Sequence, residues 1–259
     1  MKKPNLTKIT VSILLIGLLA SCTSSGNEST EQSNAAEAEE VVVMVEESPA
    51  VCIWDQVSVR EVANSKGKWI TSISVGESLT YLGQEAYDSL NKNRKYLKVR
   101  LADDTEGWSA ADFIVSNGKI GVFLEGTFIY KRPDLLTKTE KKFERLDIVA
   151  VKNTQDGWNE VVGKRTEGTW IENGWIKTGK LSFESTDIAV AKFLTGAMAK
   201  DNEEDQKEAL GIILDNPDLV SSDLIADVQA AFDSLLSPDD EEVTDSSENE
   251  VAADSLSSN

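Results

Sequence analysis

The feature that most constrains the fold is a strand-turn-strand pattern that ends in a Gly-Trp pair. In "YLKVRLADDTEGW" (96–108), apolar and polar residues alternate, a polar turn follows, and Gly107 and Trp108 close the segment. Such alternation is typical of a half-buried strand, and the turn predicts an antiparallel hairpin. Glycine in a strand permits a bulge or the close approach of another backbone, and tryptophan supplies a large flat surface for a small core. The segment therefore predicts a compact antiparallel β unit.

The same ending recurs in "ENGW", where Gly174 and Trp175 lie 67 residues after Gly107 and Trp108. A repeat of this length indicates an internal duplication. Trp170 is an alternative equivalent of Trp108, because it lies 12 residues after Trp158, as Trp108 lies 12 residues after Tyr96. Alternation and turn signals predict strands at 57–61, 77–84, 96–101, 111–115, 126–132, 145–152, 157–163 and 173–182.

From residue 185 the periodicity changes from that of strands to that of helices. Apolar residues recur every three or four positions in 185–200, 203–216 and 216–236. This spacing predicts three helices, with Pro217 near the start of the third. Two arrangements stay open: the helices dock on the β units, or they form a separate acidic bundle.

Charge is distributed unevenly along the chain. The formal net charge is −19, yet residues 51–200 hold 22 basic and 20 acidic side chains. The acidic excess lies in the flanks, since residues 201–259 hold 18 acidic residues and one lysine. A nucleic-acid binder needs clustered Lys and Arg to displace counterions, so this layout argues against a nucleic-acid partner. The flanks 22–50 and 237–259 have the composition of a flexible tether and a disordered tail.

The first residues have the pattern of a secretory signal. Lys2 and Lys3 precede the apolar stretch "TVSILLIGLLA" (10–20), which is too short to span a bilayer. The ending "LASC" (19–22) resembles a bacterial lipobox, in which cleavage before the cysteine leaves that residue to be acylated. The resemblance implies a lipid on Cys22 and a membrane-anchored protein of the bacterial cell envelope, in the outer membrane if the cell is Gram-negative. The alternative is an ordinary signal peptide with an unrelated cysteine.

The composition argues against catalysis and metal binding. The chain has no histidine, which removes the commonest general base and the commonest zinc ligand. Besides Cys22 there is one cysteine, Cys52, whose apolar neighbours in "VCIWD" predict a core residue. A phosphate-binding glycine motif is absent. Asp103 and Asp104 could form the carboxylate pair of a glycosidase, but they lie at a hairpin tip where acidic turn residues are expected. The acidic runs 201–205 and 239–242 lack the Asp/Asn spacing and the turn glycine of a calcium loop. We therefore expect no enzyme activity and no cofactor or metal.

The β region resembles a known family. The opening "VSVR", the strand "GESLTYL", "YLKVRL", a polar turn, "GW" and the closing "DFI" together resemble a bacterial SH3-like domain. The first copy lacks the Gly-Pro-Ser that usually follows the arginine, and the second matches only in its latter half, "DGW…V" and "NGW". The resemblance implies a mainly β protein with C-terminal α structure: two small SH3-like β-barrels followed by a short helical segment, with disordered acidic flanks. The predicted domains are a lipoprotein signal peptide (1–21), an acidic tether (22–50), a first barrel (51–116), a divergent second barrel (117–182), a helical segment (183–236) and an acidic tail (237–259).

Recognition is the function that this resemblance implies. SH3-type barrels commonly bind peptides through aromatic residues beside a groove, and secreted bacterial members are associated with cell-wall peptides or partner proteins. The candidate ligand contacts are Trp69, Tyr81, Trp108 and Phe113 in the first copy, and Trp158, Trp170 and Trp175 in the second. For each of them, packing in a barrel core is the alternative. Trp69 is the one most expected to be exposed, because "NSKGKW" is loop-like.

Two functions are therefore predicted from the sequence. The first is a non-enzymatic, lipid-anchored envelope protein that recognises a cell-wall peptide or another peptide ligand. The alternative is a structural or scaffold lipoprotein that docks an envelope protein through its helical C-terminus.

Overall fold

The computed structural model describes residues 46–236, which form a mainly β protein with three helices at the C-terminal end. This confirms the predicted mainly β class with C-terminal α structure. The first sheet contains β1 (Ser48–Cys52), β2 (Val57–Arg60), β3 (Trp69–Ile73), β4 (Ser78–Asp88), β5 (Arg94–Arg100), β6 (Glu106–Ala110) and β7 (Ile114–Ser116). The second contains β8 (Lys119–Phe123), β9 (Thr127–Tyr130), β10 (Lys138–Phe143), β11 (Ile148–Gln155), β12 (Trp158–Lys164), β13 (Ile171–Lys177) and β14 (Leu181–Ser182).

The two sheets have the same strand order. In the first sheet the order is β3-β2-β6-β5-β4-β1-β7, and in the second it is β10-β9-β13-β12-β11-β8-β14. Every strand of the first sheet thus has a counterpart seven strands later, and the pairings are antiparallel in both. The strand β1 begins at Ser48, within the range 22–50 that the sequence assigns to the tether.

Alternation along the strands gives each sheet its own apolar core. In β2, Val57 and Val59 are buried while Ser58 and Arg60 are partly exposed. The buried core of the first sheet consists of Ala50, Cys52, Val57, Val59, Ile73, Leu79, Tyr81, Leu97, Val99 and Ile114. That of the second consists of Phe123, Ile129, Phe143, Val149, Val151, Val161 and Ile176.

The helices are α1 (Ser185–Met198), α2 (Glu203–Leu214) and α3 (Ile225–Leu236). They share one core with the second sheet, since Val122 of β8 and Ile148 of β11 lie in the same cluster as Leu194 of α1 and Leu210 of α2. Of the two arrangements left open by the sequence, the helices therefore dock on the β structure.

The third helix begins later than its apolar pattern predicts. The sequence places a helix over 216–236 with Pro217 near its start, but α3 begins at Ile225. The preceding turns are held by polar contacts instead: Ser222 Oγ and the Asp223 N–H donate to Asp187 Oδ1, at 2.6 and 2.8 Å. These hydrogen bonds require a turn at Ser222 and Asp223. The backbone there is therefore not helical, although the apolar spacing of 216–236 predicts a helix.

Contacts also join the two sheets. One apolar cluster contains Val51, Ile53 and Val115 of the first sheet with Ala150 of the second. A Cβ on Gly76, in the turn between β3 and β4, would lie 3.3 Å from Ile188 Cγ2 of α1. The helical segment therefore touches both sheets.

Residues 1–45 and 237–259 lie outside the described part of the chain. The predicted lipidation site Cys22, most of the tether and the acidic tail fall in these ranges. Within residues 46–236, none of the helices combines the length and apolar character required to cross a membrane.

Candidate functional site

A groove of about 290 Å³ lies on the first sheet. It is formed by the segment that follows β1, the outward side of β2, and the 3₁₀ turn Ala111–Phe113 before β7. The lining residues are Trp54, Asp55, Gln56, Val57, Ser58, Arg60, Ser65, Arg94, Tyr96, Ala110 and Phe113. Aromatic rings and guanidinium groups thus share one concave surface.

Trp54 and Phe113 form the aromatic wall of this groove. Their ring centroids are 5.7 Å apart, with an angle of 34° between the planes. The backbone fixes this pair, because the Ile53 N–H donates to the Phe113 carbonyl at 3.0 Å and so brings the two segments side by side. Tyr96 of β5 is buried beside them. Rings held in this way offer a preformed apolar surface to a ligand.

Two arginines provide positive charge in the groove. Arg94 lies over the Phe113 ring at 5.3 Å, and its Nε donates to Asp112 Oδ2 at 3.0 Å. Arg60 Nη1 donates to the Gly67 carbonyl at 2.7 Å. Among residues 46–236, no carboxylate lies within ion-pair distance of Arg60. The charge of Arg94 is therefore balanced locally, whereas that of Arg60 is not.

A buried carboxylate supports one rim of the groove. Asp88, at the end of β4, accepts hydrogen bonds from the Ser65 N–H at 3.1 Å, the Ser65 hydroxyl at 3.4 Å and the Leu90 N–H at 3.1 Å. Ser65 belongs to the loop between β2 and β3. The loop that carries this rim is thus tied to the β4–β5 hairpin.

A larger depression of about 450 Å³ lies on the outer side of β4, β5 and β6. Both of its basic residues are paired: Arg100 pairs with Glu106 at 3.0 Å and with Glu47 at 3.3 Å, and Lys98 pairs with Glu106 at 3.4 Å, so that Glu46 leaves one negative charge in excess. No aromatic residue lines it. The smaller groove, with its aromatic wall and its arginine, is therefore the better candidate for a binding site.

At the positions of the aromatic wall, the second sheet has an ion pair. The Leu124 N–H donates to the Lys180 carbonyl at 3.0 Å, as the Ile53 N–H does to the Phe113 carbonyl. Lys180 is therefore the counterpart of Phe113, and Glu125 is the counterpart of Trp54. These two side chains form a salt bridge.

The second sheet also replaces Arg60 by an aromatic residue. Arg60 is the strand partner of Trp108, and Tyr130 is the partner of Trp175 in the equivalent pairing. The Tyr130 ring packs edge-on against Trp158 at 4.9 Å. Lys177 Nζ lies 4.1 Å from the centre of the Trp158 ring. Side chains of the second sheet thus contact one another at the positions that line the groove of the first.

Of the seven aromatic residues predicted as ligand contacts, Phe113 lines the groove. Tyr81 is only 5% exposed and lies in the core of the first sheet. Its hydroxyl lies 3.2 Å from Glu85 Oε1. Burial, with the nearby Glu85 carboxylate, raises the pKa of Tyr81 to about 12, so the phenol stays protonated. Trp158 is also 5% exposed, but it lies outside the core clusters and is covered by Tyr130 and Lys177. Tyr81 therefore follows the core alternative, and Trp158 is buried at the position that corresponds to the groove.

The Gly-Trp pairs occupy equivalent places on β6 and β13. Gly107 and Gly174 are buried, whereas the tryptophans that follow them are half-buried and lie outside the core clusters. The expectation that this tryptophan fills the core is therefore wrong, because a strand points successive side chains to opposite faces and the glycine takes the inward position. Trp175, and not Trp170, is the counterpart of Trp108 by strand pairing.

The two remaining tryptophans are the most exposed of the set. Trp69 begins β3 and is 56% exposed, as the sequence predicted, and its indole N–H donates to Ser72 Oγ at 3.2 Å. Trp170, in the turn before β13, is 78% exposed. Neither lines the groove.

Sequence reasoning did not find Trp54, Arg60, Arg94 or Tyr96 as groove residues. Trp54 stands in "VCIWD", which the sequence analysis treated as a buried strand. A sequence signal for it existed: Asp55 follows directly, and aspartate is typical of the residues that bound a strand. Arg60 is the arginine of the "VSVR" segment, whereas Arg94 carries no comparable local signal.

Two features bear on metal binding and thiol chemistry. Within residues 46–236, no group of three or more Cys, Asp or Glu side chains is placed to hold a metal ion. Cys52 is fully buried, and burial raises the pKa of its thiol to about 11, so it stays protonated and unreactive.

No protein-family model and no curated protein matches this chain. Solved structures that match include NlpC2 from Trichomonas vaginalis, at 12% identity and a TM-score of 0.22, with 65% of this chain and 55% of that chain covered. NlpC1 from the same organism matches at 13% identity and a TM-score of 0.23, with 58% and 53% covered. The chain thus spans just over half the length of these proteins. Similarity at such TM-scores establishes neither the fold nor the function.

Proposed function

We propose that this protein is a non-enzymatic, lipid-anchored protein of the bacterial cell envelope that recognises a peptide or cell-wall ligand. The groove between Trp54 and Phe113 is its binding site. The observation that carries the proposal is the difference between the two sheets: one has a partly exposed aromatic pair lining a groove where the other has the Glu125–Lys180 ion pair. Trp54 and Phe113 pack against the core of the first sheet on one side and line the groove on the other, and aromatic residues that line a groove favour a role in binding.

The proposal includes a finer description of the fold. Each sheet is interpreted as an SH3-like barrel with additional edge strands, the first over 51–116 and the second, divergent one over 117–182. The equal strand orders and the equivalent Gly-Trp positions support a duplicated module. In the SH3 mode of recognition, aromatic residues beside a groove receive an extended peptide.

The membrane anchor is proposed from the "LASC" ending at residues 19–22. Stable attachment needs more than one acyl chain, which the lipoprotein pathway supplies on the cysteine. A lipid-anchored protein should incorporate a labelled palmitate analogue and sediment with membranes. A Cys22→Ser variant should lose both properties. Incorporation of label into the variant would place the lipid elsewhere, and a soluble, unlabelled wild-type protein would exclude the anchor.

Recognition of the wall is tested by co-sedimentation of the full-length protein, in mild detergent, with purified cell-wall sacculi at low and high salt. We expect pelleting that persists at high salt, because aromatic contacts are screened little by ions. Trp54→Ala should abolish it. Trp170→Ala removes an exposed ring outside the groove and should leave it unchanged.

Other outcomes of this experiment would contradict the proposal. Equal pelleting of wild type and Trp54→Ala would move the site away from the groove. Absence of pelleting would exclude the wall as the ligand. The alternative function, docking of an envelope protein through the helices, would then gain weight, since Phe193, Ile212 and Val220 are exposed on and between the helices. Photo-crosslinking from position 212 in intact cells would test it.

A further inference from the structure

We infer that the ligand of the groove carries a carboxylate, which Arg60 binds, beside an apolar part that contacts Trp54 and Phe113. This rests on the proposed function in one respect only, the use of this groove as the binding site. It adds the chemical class of the ligand and names a residue to which the sequence pattern assigns no role.

The backbone aims Arg60 into the groove. Val57 and Val59 of β2 are buried in the core, whereas the alternate residues Ser58 and Arg60 are partly exposed and line the groove, together with the edge of Val57. Arg60 Nη1 donates to the Gly67 carbonyl at 2.7 Å, and this bond holds the side chain in place. A guanidinium has five N–H donors, so this bond leaves others for a ligand.

The charges around the groove favour an anion near Arg60. Arg94 is balanced by Asp112 at 3.0 Å. Asp55 also lines the groove; its Oδ1 accepts a hydrogen bond from the Val75 N–H at 3.1 Å, and its carboxylate forms no ion pair with Arg60. Lys164 of the second sheet lies over the Trp54 ring at 5.1 Å and adds a cation beside this ring. Within residues 46–236, neither Arg60 nor Lys164 has a carboxylate within ion-pair distance.

The shape of the guanidinium favours an anion with two acceptor oxygens. Its planar fork can donate two parallel hydrogen bonds to a carboxylate or to a phosphate. The Trp54–Phe113 wall lies in the same groove and suits aliphatic or aromatic atoms next to that carboxylate. A peptide that ends in a free carboxylate has both parts.

The second sheet serves as an internal comparison. Where the first sheet has Trp54 and Phe113 it has Glu125 and Lys180, and where the first has Arg60 it has Tyr130. The aromatic wall and the arginine are thus absent together from the second sheet. This is expected if the three residues act on one ligand.

The test compares two probes that differ only at the carboxylate: N-acetyl-Ala-Ala-Ala with a free C-terminus, and its C-terminal amide. Each is titrated into full-length protein in detergent, and the indole N–H signal of Trp54 is followed by NMR. A hydrogen-bonded charge contributes enough that the amide should bind at least about tenfold more weakly than the acid. Equal affinities, or binding of neither peptide, would overturn the inference without any variant.

Variants then locate the effect. Arg60→Gln should reduce the affinity for the acid to that for the amide, and Arg60→Lys should retain part of the preference. Arg100→Gln is the matched control, because it removes the same charge from the same sheet outside the groove. Thermal unfolding establishes that each variant is folded. If Arg60→Gln keeps the full preference for the acid, Arg60 is not the carboxylate-binding residue.

The two proposals fail in different ways. If sacculi do not bind but the free acid does, the wall is excluded and a carboxylate-binding groove remains. If sacculi bind through Trp54 but the free-acid peptide and its amide bind with equal affinity, the proposal of cell-wall binding stands and the carboxylate inference is wrong.

Discussion

At the scale of single residues, Gly107 and Gly174 lie at equivalent positions of the two sheets, where a side chain would clash with the neighbouring strand. A Cβ on Gly107 would lie 2.5 Å from Val59 Cγ1, and one on Gly174 would lie 2.3 Å from Ile129 Cγ2. Both distances are below van der Waals contact, because Val59 and Ile129 lie on β2 and β9, the strands paired with β6 and β13 beside the two glycines. The half-buried tryptophan that follows each glycine is placed by this packing.

Replacement of Gly174 by alanine is therefore expected to destabilise the protein. The added methyl group meets a buried β-branched side chain, and overpacking of this kind costs about 1–3 kcal/mol. Urea unfolding followed by tryptophan fluorescence measures the difference. Gly196→Ala is the control, since a Cβ there meets nothing within 4 Å and lies in α1, where alanine should stabilise by about 0.5–1 kcal/mol. Equal stabilities of Gly174→Ala and wild type would contradict the proposed role of the glycine.

At the scale of elements, a polar cluster joins the helices to the second sheet. The buried carboxylate of Asp187 in α1 accepts hydrogen bonds from Ser182 of β14 and from Ser222 and Asp223 before α3. Close by, Arg145 forms two hydrogen bonds of 2.7 Å with the carboxylate of Asp227 in α3. The helices are thus held by oriented bonds in addition to apolar contacts.

This cluster makes stability depend on pH. Burial by itself would raise the pKa of Asp187, but the hydrogen bonds from Ser182, Ser222 and the Asp223 N–H outweigh burial and lower the pKa below its ordinary value. Because the pKa of Asp187 is lower in the folded state than in the unfolded state, the ionised carboxylate stabilises the fold at pH values above its unfolded-state pKa. This contribution is lost as the pH falls through the folded-state pKa. The loss should begin below about pH 4.

The Asp187→Asn variant tests this dependence. It should be less stable than wild type at neutral pH by about 1–3 kcal/mol, because an amide replaces one charged acceptor oxygen by a donor. Its stability should then change less than that of wild type between about pH 4 and pH 2. Asp218→Asn, at an exposed position, is the control. Parallel pH profiles for wild type and Asp187→Asn would show that Asp187 does not carry the effect.

At the scale of the whole molecule, two sheets with one topology have different surfaces at corresponding places. The first keeps Trp54, Phe113 and Arg60 around a groove, and the second has Glu125, Lys180 and Tyr130. The second sheet instead receives the helices through its apolar cluster. Under the proposed function, the first sheet contacts the ligand and the second supports the helices.

Replacing residues of the groove by their counterparts in the second sheet tests this assignment. The double variant Trp54→Glu and Phe113→Lys introduces the ion pair that the second sheet already tolerates. We expect the variant to fold with reduced stability, because Trp54 and Phe113 also pack against the core of the first sheet and the new ion pair contributes little, and to lose binding to sacculi and to the free-acid peptide. Circular dichroism and co-sedimentation measure the two properties. Retained binding would contradict the assignment of the groove.

The sequence predicted the elements well where local patterns decide them. The strands around Val57, Leu79 and Val99 follow simple alternation, and the first two helices follow the helical period. It placed the third helix too early, because the turn at Ser222 is held by a carboxylate 35 residues away in the chain. It also missed Trp54, because a partly exposed ring after a buried strand resembles a core residue until its distant partner is known.

By itself, the sequence determined the class of the protein: short amphipathic strands, then helices, with a recurring Gly-Trp pair. These features depend on side-chain periodicity and on backbone freedom at single residues, which are local properties. Only the tertiary structure decided that Trp175 is the counterpart of Trp108, that Tyr81 is buried, and that Arg60 shares a groove with Trp54 and Phe113. Those facts depend on strand register and on contacts between segments far apart in the chain. A single residue of slip in register would turn each of these side chains to the other face.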